Sequence, residues 1–469
     1  MARRAELAVV GAGPAGMAAA LAAADAGARV LLLDEYSRPG GQYWKQVPGA
    51  YAVRDPGELG GQYARGHAFA ARLDHPRIEL WTDALVWAIA DDRALLVQRG
   101  ERGERVEYDA LVLATGAYDR PIAFPGWDLP GVITAGAAQS LVKSQRMLPG
   151  RDVLLVGSGP FLLPVAEQIL LGGGRVAAVL EATRPYAWAR YAPRAWGHWA
   201  RFREGAGYLR TLRAHGVPLR FGQIVLRAEG DGRVERVVVA AADPESWRPR
   251  YGEEQTYAVD TLAIGYGFLV STELARLAGC AMRWDPHQEQ ELPTHDDRQE
   301  SSVPGVYVAG ELTGVAGAEV ALAEGFVAGL AAAVRLGRLS APRAQPRLEQ
   351  VQARLRRLRR FASIINELFR MRPGIYELPD DDTTICRCEE VTAGEIRRAV
   401  ARGARSGNAL KAWTRVGMGP CQGRVCGNLI THLIGGELGL ALDTVPGFTP
   451  RPPVKPVPIG IMSEFAEPV

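Results

Sequence analysis

The feature that most constrains this chain is Gly11-x-Gly13-x-x-Gly16, set between an apolar run at residues 7–10 and an alanine-rich stretch. A second apolar run at residues 29–33 follows and ends in Asp34-Glu35. Strand, glycine turn, helix and second strand in that order predict a parallel βαβ unit that binds a dinucleotide. Each glycine has its own task. Gly11 permits the tight turn, Gly13 lets the backbone approach a pyrophosphate, and Gly16 lets the helix pack close to the strand. Pro14 and Ala15 open that helix, whose free N–H groups face the phosphates. An acid at the end of the second strand accepts hydrogen bonds from a ribose. Spacing from Gly11 favours Asp34, spacing from Gly40-Gly41 favours Glu35, and Asp34 ranks first.

A chain of 469 residues needs two or three cores. Its net charge of +3 is too small to argue for nucleic acid. No run of 18 apolar residues exists, so no membrane span is expected. The opening MARRAELAVV lacks a cleavage-type region. Five cysteines, four of them clustered, fit a metal or cluster site in a reducing compartment better than a disulfide framework. A cytoplasmic protein is expected, meeting the inner membrane face only through its electron acceptor.

After the glycine motif come Gly40-Gly41-Gln42, then Ala114-Thr115-Gly116, then Ala309-Gly310-Glu311. In this order they resemble the two-dinucleotide-domain flavoproteins related to glutathione reductase. The resemblance implies an extended FAD, wrapped by the Gly40–Gln42 loop and passed closely by Ala114, Thr115 and Gly116. At the position of Glu311 that group usually has Asp, which bonds the ribityl and phosphate region. A helix over residues 316–333 follows, and its N-terminus would point at the isoalloxazine. No cysteine pair follows the glycine motif, so no redox disulfide is expected, and the isolated Cys280 reads as a buried thiol.

A second strand–turn–helix starts at Arg151. Gly157 and Gly159 hold the first two glycine positions and Glu181 the acid position, but Leu162 stands at the third. Its side chain should push the helix away from the strand. A retained fold without NAD(P)H is therefore the favoured reading, with another adenine nucleotide in a modified pose as the alternative. Residues 184–210 carry Tyr186, Trp188, Tyr191, Trp196, Trp199, Phe202 and Tyr208 among basic residues, the composition of a partner or ligand surface. Residues 351–369 have helical apolar spacing, with Leu355, Leu358, Phe361, Ile365 and Leu368 on one stripe. They read as a connecting helix docked by that stripe.

Cys386-x-Cys388 and Cys421-x4-Cys426 can bring four thiolates to one centre. Thr392 and Glu395 form a capping box that opens a helix over residues 393–401, and another helix should begin near Cys426. Zinc knuckles seldom use C-x-C, and a dithiol pair would leave two cysteines unexplained. A [2Fe–2S] centre uses four thiolates. The segment resembles a bacterioferritin-associated-ferredoxin-like domain, which implies a [2Fe–2S] cluster on Cys386, Cys388, Cys421 and Cys426. Six prolines between Pro446 and Pro458 predict a stiff, extended arm.

Taken together the order resembles the larger flavin subunit of multi-subunit amine and amino-acid dehydrogenases. These include proline and D-hydroxyproline dehydrogenases, opine oxidases and hydrogen cyanide synthase. The expected fold is α/β, with two Rossmann-like domains of the glutathione-reductase-like type and a small helical [2Fe–2S] domain. Residues 1–150 and 258–342 would bind FAD, and 151–257 would form the degenerate second domain. Residues 343–382 would connect to the cluster domain at 383–445, with the arm at 446–469. The resemblance implies a smaller catalytic β subunit with its own FAD that handles the amine or amino acid, further small subunits, and in some members an interfacial FMN. Lys411, Arg415 and the Gly417–Gly419 turn lie near that segment, but no FMN ligand is assigned. Electrons would pass from the partner's flavin to an acceptor such as quinone. The alternatives are a self-contained NAD(P)H-dependent FAD oxidoreductase and a non-catalytic scaffold with structural nucleotide sites.

Overall fold

A computed structural model describes residues 3–51, 53–90 and 93–465. Arg3–Val10 lies at the centre of a parallel array in the order Ile78–Trp81, Val30–Leu33, Arg3–Val10, Arg102–Leu113. Val306–Val308 pairs with the end of Arg102–Leu113, so a segment far along the chain completes the first sheet. The hairpin of Ala84–Ala90 and Ala94–Arg99 adds antiparallel strands to the same sheet. Residues 7–10 and 30–33 are buried, as expected of strands covered on both faces. Helices Pro14–Asp25 and Ala318–Arg335 press backbone to backbone beneath it. A Cβ at Gly325 would lie 2.0 Å from the Ala15 carbonyl oxygen, and one at Gly329 would lie 2.1 Å from that of Ala19. Only glycine allows that approach.

The second sheet is parallel in the order Leu219–Phe221, Arg175–Glu181, Asp152–Gly157, Thr261–Gly265, Val132–Thr134. A three-stranded antiparallel sheet of Gln223–Glu229, Arg236–Ala242 and Pro249–Ala258 packs beside it. Two of the parallel strands fall outside the 151–257 range read from the glycine motif. Val132–Thr134 precedes that motif and Thr261–Gly265 follows it, so the boundaries at 150 and 258 each cut through this sheet.

The cysteine-bearing segment is not a separate bead. Its buried Ile385, Val391, Ile396, Leu410 and Ile430 share one continuous core with Phe124, Trp127, Leu226 and Trp247 of the second domain. Trp127 also donates its indole N–H to the Thr384 carbonyl at 2.6 Å. The connecting helix, Ala341–Leu368, begins before the expected linker. Leu355 and Leu368 are buried, whereas Leu358, Phe361 and Ile365 face a large cavity. The apolar stripe thus serves as cavity wall as well as docking surface.

The proline-rich arm lies along this chain's own surface. Its Val454 N–H donates to the Trp87 carbonyl at 2.9 Å, and Lys455 forms an ion pair with Glu35. The arm is not extended throughout, because Ile459–Ser463 is a short helix, after which Phe465 meets Trp87 edge-on. Residues 466–469 of the expected arm lie outside the described residues.

Candidate functional site

One cavity of about 1290 Å³ runs between the two dinucleotide folds. Gly11, Gly13, Pro14 and Ala15 line it from the first turn, and Gly41 and Gln42 line it from the following loop. Ala114, Thr115, Gly116 and Glu311 complete this end of the wall. The remaining glycines shape that cradle from behind. A Cβ on Gly16 would sit 1.7 Å from the Gly11 carbonyl oxygen, and one on Gly11, whose φ is +99°, would sit 2.4 Å from that of Ala114. Gly40 turns against the Trp44 carbonyl, and Gly310 turns against Ala15. A Cβ on Gly41 would meet Gly13 Cα at 2.8 Å, so the two loops touch. Bare backbone from two loops beside a helix N-terminus fits the pyrophosphate of an extended dinucleotide.

Both candidate ribose acids line the cavity. Asp34 is the more deeply set, and its carboxylate accepts from Ala12 N–H and, at 2.8 Å, from Tyr36 N–H. Burial pushes this carboxyl up to about 6, against the pull of those two donors. Glu35 turns to Lys455 of the arm. Glu311 accepts from Gly317 N–H at 2.7 Å, just before helix Ala318–Arg335. Burial raises its carboxyl to about 7. Its longer side chain therefore caps the helix that was expected to begin near residue 316.

The second turn departs from the first in three ways. Its helix, Leu162–Leu171, begins five residues after Gly157, whereas Pro14 lies three after Gly11. Leu162 is buried against residue 265, where only a glycine leaves room: a Cβ there would lie 2.8 Å from Leu162 Cδ2. Glu181 spends its carboxylate internally, accepting from Gly159 N–H and Thr183 N–H, both at 2.8 Å. Unlike Asp34, it is not part of the cavity wall.

Residues 184–210 roof the cavity. Trp188, Phe202 and Tyr208 face inward with Phe361 and Phe369 of the connecting region, while Tyr186, Trp196 and Trp199 remain exposed. The segment thus combines a ligand-facing side with an outer aromatic surface.

The four cysteines converge through Thr384–Cys386, the turns after it, and helix Gly427–Leu438, whose N-cap is Cys426. They lie as two neighbouring pairs, Cys386 beside Cys426 and Cys388 beside Cys421. Among the described residues no three His, Cys, Asp or Glu side chains are grouped to hold a metal ion as they stand. Four cysteine thiolates are the ligand set of a [2Fe–2S] centre. Gly417 N–H points at Cys386 Sγ from 3.5 Å. Hydrogen bonding from Cys426, joined by backbone N–H groups, brings the Cys386 thiol down to about 5 despite burial. Gly419 is required because a Cβ there would collide with Cys388 Cβ at 2.1 Å. Lys411 lies over the Phe448 ring, and Arg415 pairs with Glu389 at 2.9 Å. Cys280 is buried in the first domain and hydrogen-bonds Ser301 at 3.4 Å, away from these four.

Sequence reasoning missed the junction between cavity and cysteines. Arg424, between Cys421 and Cys426, lines the cavity and pairs with Glu273 at 3.1 Å. It also donates to the Val454 carbonyl of the arm at 2.7 Å. The half-buried Tyr118 lies on the same wall, within the fields of Glu273, Arg424 and Cys421. No local pattern signals Tyr118 or Glu273; Arg424 was visible only as a charge near cysteines.

Residues 5–325 match the pyridine nucleotide-disulphide oxidoreductase family, and residues 384–435 match the BFD-like [2Fe-2S] binding domain. Hydrogen cyanide synthase subunit HcnB of Pseudomonas aeruginosa is 36% identical over 457 residues, 96% of each chain. An opine oxidase subunit of Rhizobium meliloti is 34% identical over 475 residues, 98% of each chain. The crystal structure of L-proline dehydrogenase from P. horikoshii shares the fold, with a TM-score of 0.70 at 21% identity, covering 98% of this chain and 80% of that one. The class defined by fold and site is thus an FAD and [2Fe–2S] oxidoreductase chain. Within it, the chain belongs to the pyridine nucleotide-disulphide oxidoreductase family, alongside HcnB and the opine oxidase chain, the flavin and iron–sulfur subunits of multi-subunit amine and amino-acid oxidoreductases.

Proposed function

We propose that this chain is the electron-relaying subunit of a hetero-oligomeric dehydrogenase that oxidises a secondary amine or an amino acid. In this reading a smaller FAD-containing partner performs the oxidation, and electrons leave toward a quinone or similar acceptor. The first glycine turn, the Gly40–Gln42 loop, Asp34 and Glu311 hold FAD. Cys386, Cys388, Cys421 and Cys426 hold the cluster. Flavin exchanges electrons in pairs or singly and a [2Fe–2S] centre singly, so the two together convert between the modes. The chain's own residues orient both groups.

The observation that carries this reading is the shared wall. Arg424 belongs to the cysteine loop and to the cavity lining at once, and Tyr118 lies beside it. A scaffold with structural sites would not need its cysteine loop to border the nucleotide cavity. The self-contained NAD(P)H reading is weakened by Glu181, which, unlike Asp34, does not line the cavity.

The test is to purify the chain with whatever accompanies it and to record visible spectrum, iron, acid-labile sulfide and amine-dependent dye reduction. Flavin with two irons per chain and activity only in the complex is the expected result. Zinc without iron would remove the cluster assignment. An active lone chain would remove the need for a partner.

A further inference from the structure

Arg120 is the most constrained cation on the cavity wall. It is 4% exposed and follows the short strand Ala117–Asp119, which continues from Ala114–Gly116. Its backbone N–H donates to Gly267 at 3.0 Å, which fixes the chain where the side chain departs. One guanidinium nitrogen donates to Tyr376 Oη at 3.0 Å and to Asn428 Oδ1 at 3.1 Å. The other donates to the Gln288 carbonyl. Nε is buried and has no partner.

Every one of those acceptors is neutral. Among the described residues no carboxylate pairs directly with Arg120. Glu289 stands 3.3 Å from His432 Nε2, and His432 stacks on Tyr376, so this carboxylate shares a neighbourhood with Arg120 without pairing with it. Burial lowers the His432 pKa. A guanidinium stays charged at any relevant pH, and a buried charge without a counter-ion is destabilising by several kcal/mol. Such an arrangement persists where a ligand supplies the missing negative charge.

The partners of Arg120 show what it joins. Gln288 also accepts from Val315 N–H through its side chain at 2.7 Å, and Val315 belongs to the loop between Glu311 and helix Ala318–Arg335. Asn428 lies in the first turn of the helix capped by Cys426. Arg120 therefore touches the cysteine-side helix directly and the flavin-side loop through Gln288.

We propose that Arg120 is a positioning residue that holds a positive charge, unpaired by any direct carboxylate contact among the described residues, against the flavin cavity and locks the cluster helix to that wall. Reduction adds negative charge to bound FAD, and a fixed cation in a water-poor wall favours the reduced form. The tie to Asn428 keeps the cluster at a constant separation from the same wall.

The inference rests on FAD occupying this cavity, and the experiment separates the two. In the complex as purified, the FAD potential is measured by anaerobic spectroelectrochemistry for the parent, Arg120→Met and Arg120→Lys. Arg120→Met should make two-electron reduction at least tenfold less favourable, about 30 mV more negative. Arg120→Lys, which keeps the charge but not the fork, should retain most of the parent potential. Asn428→Ala, which keeps the charge and cuts the tie, should leave the potential unchanged and slow electron passage from flavin to cluster.

A flavin-bearing Arg120→Met chain with the parent potential overturns the proposal, while a parent chain without flavin absorbance overturns the cavity assignment as well. If Arg120→Met does not fold, Arg120→Lys decides: a tenfold loss despite the retained charge contradicts the electrostatic role.

Discussion

The two glycine turns share a plan and differ in where their acids are spent. Asp34 and Glu181 each end a second strand, and each accepts from the backbone of its own turn. Asp34 nonetheless faces the cavity while Glu181 is sealed behind its turn. The first helix starts at Pro14, close behind the glycines, whereas Leu162 delays the second and fills the space against Gly265. Both turns border the cavity, but only the first presents its acid there; in the second, Leu162 and Glu181 are withdrawn from the wall. A fingerprint motif reports a backbone path; the third position, the helix start and the placing of the acid together set whether a dinucleotide can sit on it.

Exchanging the third positions should break this contrast most severely. Gly16→Leu places a Cβ 1.7 Å from the Gly11 carbonyl, so the helix must move away. We expect loss of flavin absorbance and destabilisation on the order of 4 kcal/mol or more, read by denaturant unfolding. Leu162→Gly removes a buried side chain and should lower stability by about 3–5 kcal/mol while FAD content holds. It should gain no NADH affinity in equilibrium dialysis. Tight NADH binding by that variant would show that Leu162 alone closed the site.

The acids sharpen the comparison at smaller scale. Asp34→Asn cannot accept equally from Ala12 and Tyr36, so one buried donor loses its partner, a loss of about 1–3 kcal/mol. A loss of that size in FAD binding would be about five- to 150-fold in affinity, as measured by fluorescence on flavin release. Glu181→Gln should leave FAD affinity at the parent value.

The same acids set a pH dependence. Burial raises the carboxyls of Asp34 to about 6 and of Glu181 and Glu311 to about 7. An unfolded chain releases those protons near pH 4, so the folded apo-chain binds more protons between about pH 4 and 7. Stability should therefore fall as pH rises through that window, by up to about 1.4 kcal/mol per pH unit for each group. Glu181→Gln should remove one group's share of the slope in thermal melts from pH 5 to 8.

Local signals were legible where local chemistry decides the structure. The first glycine turn and the Thr392–Glu395 capping box are instances; in the latter, both reciprocal hydrogen bonds form, at 2.8 and 3.3 Å. Helix Ala393–Ala401 matches its sequence reading residue for residue. The edges of the second domain were not legible, because Val132–Thr134 has three residues and gains its identity only by pairing with Thr261–Gly265. The cavity face of the connecting helix was hidden for a related reason. Leu358, Phe361 and Ile365 have the same spacing whether they meet a core or a ligand. Arg120 carried no pattern at all, since its partners come from residues 288, 376 and 428.

The contrast between the turns makes the central claim directly testable: electrons enter through a partner and not through a pyridine nucleotide. The decisive measurement is anaerobic stopped-flow absorbance of the FAD-loaded chain, alone and with its partner, mixed with NADH, NADPH or an oxidisable amine. Neither nucleotide should bleach the flavin. The amine should bleach it only with the partner present, together with the appearance of a reduced [2Fe–2S] spectrum. Rapid bleaching of the lone chain by NADH or NADPH would contradict the claim.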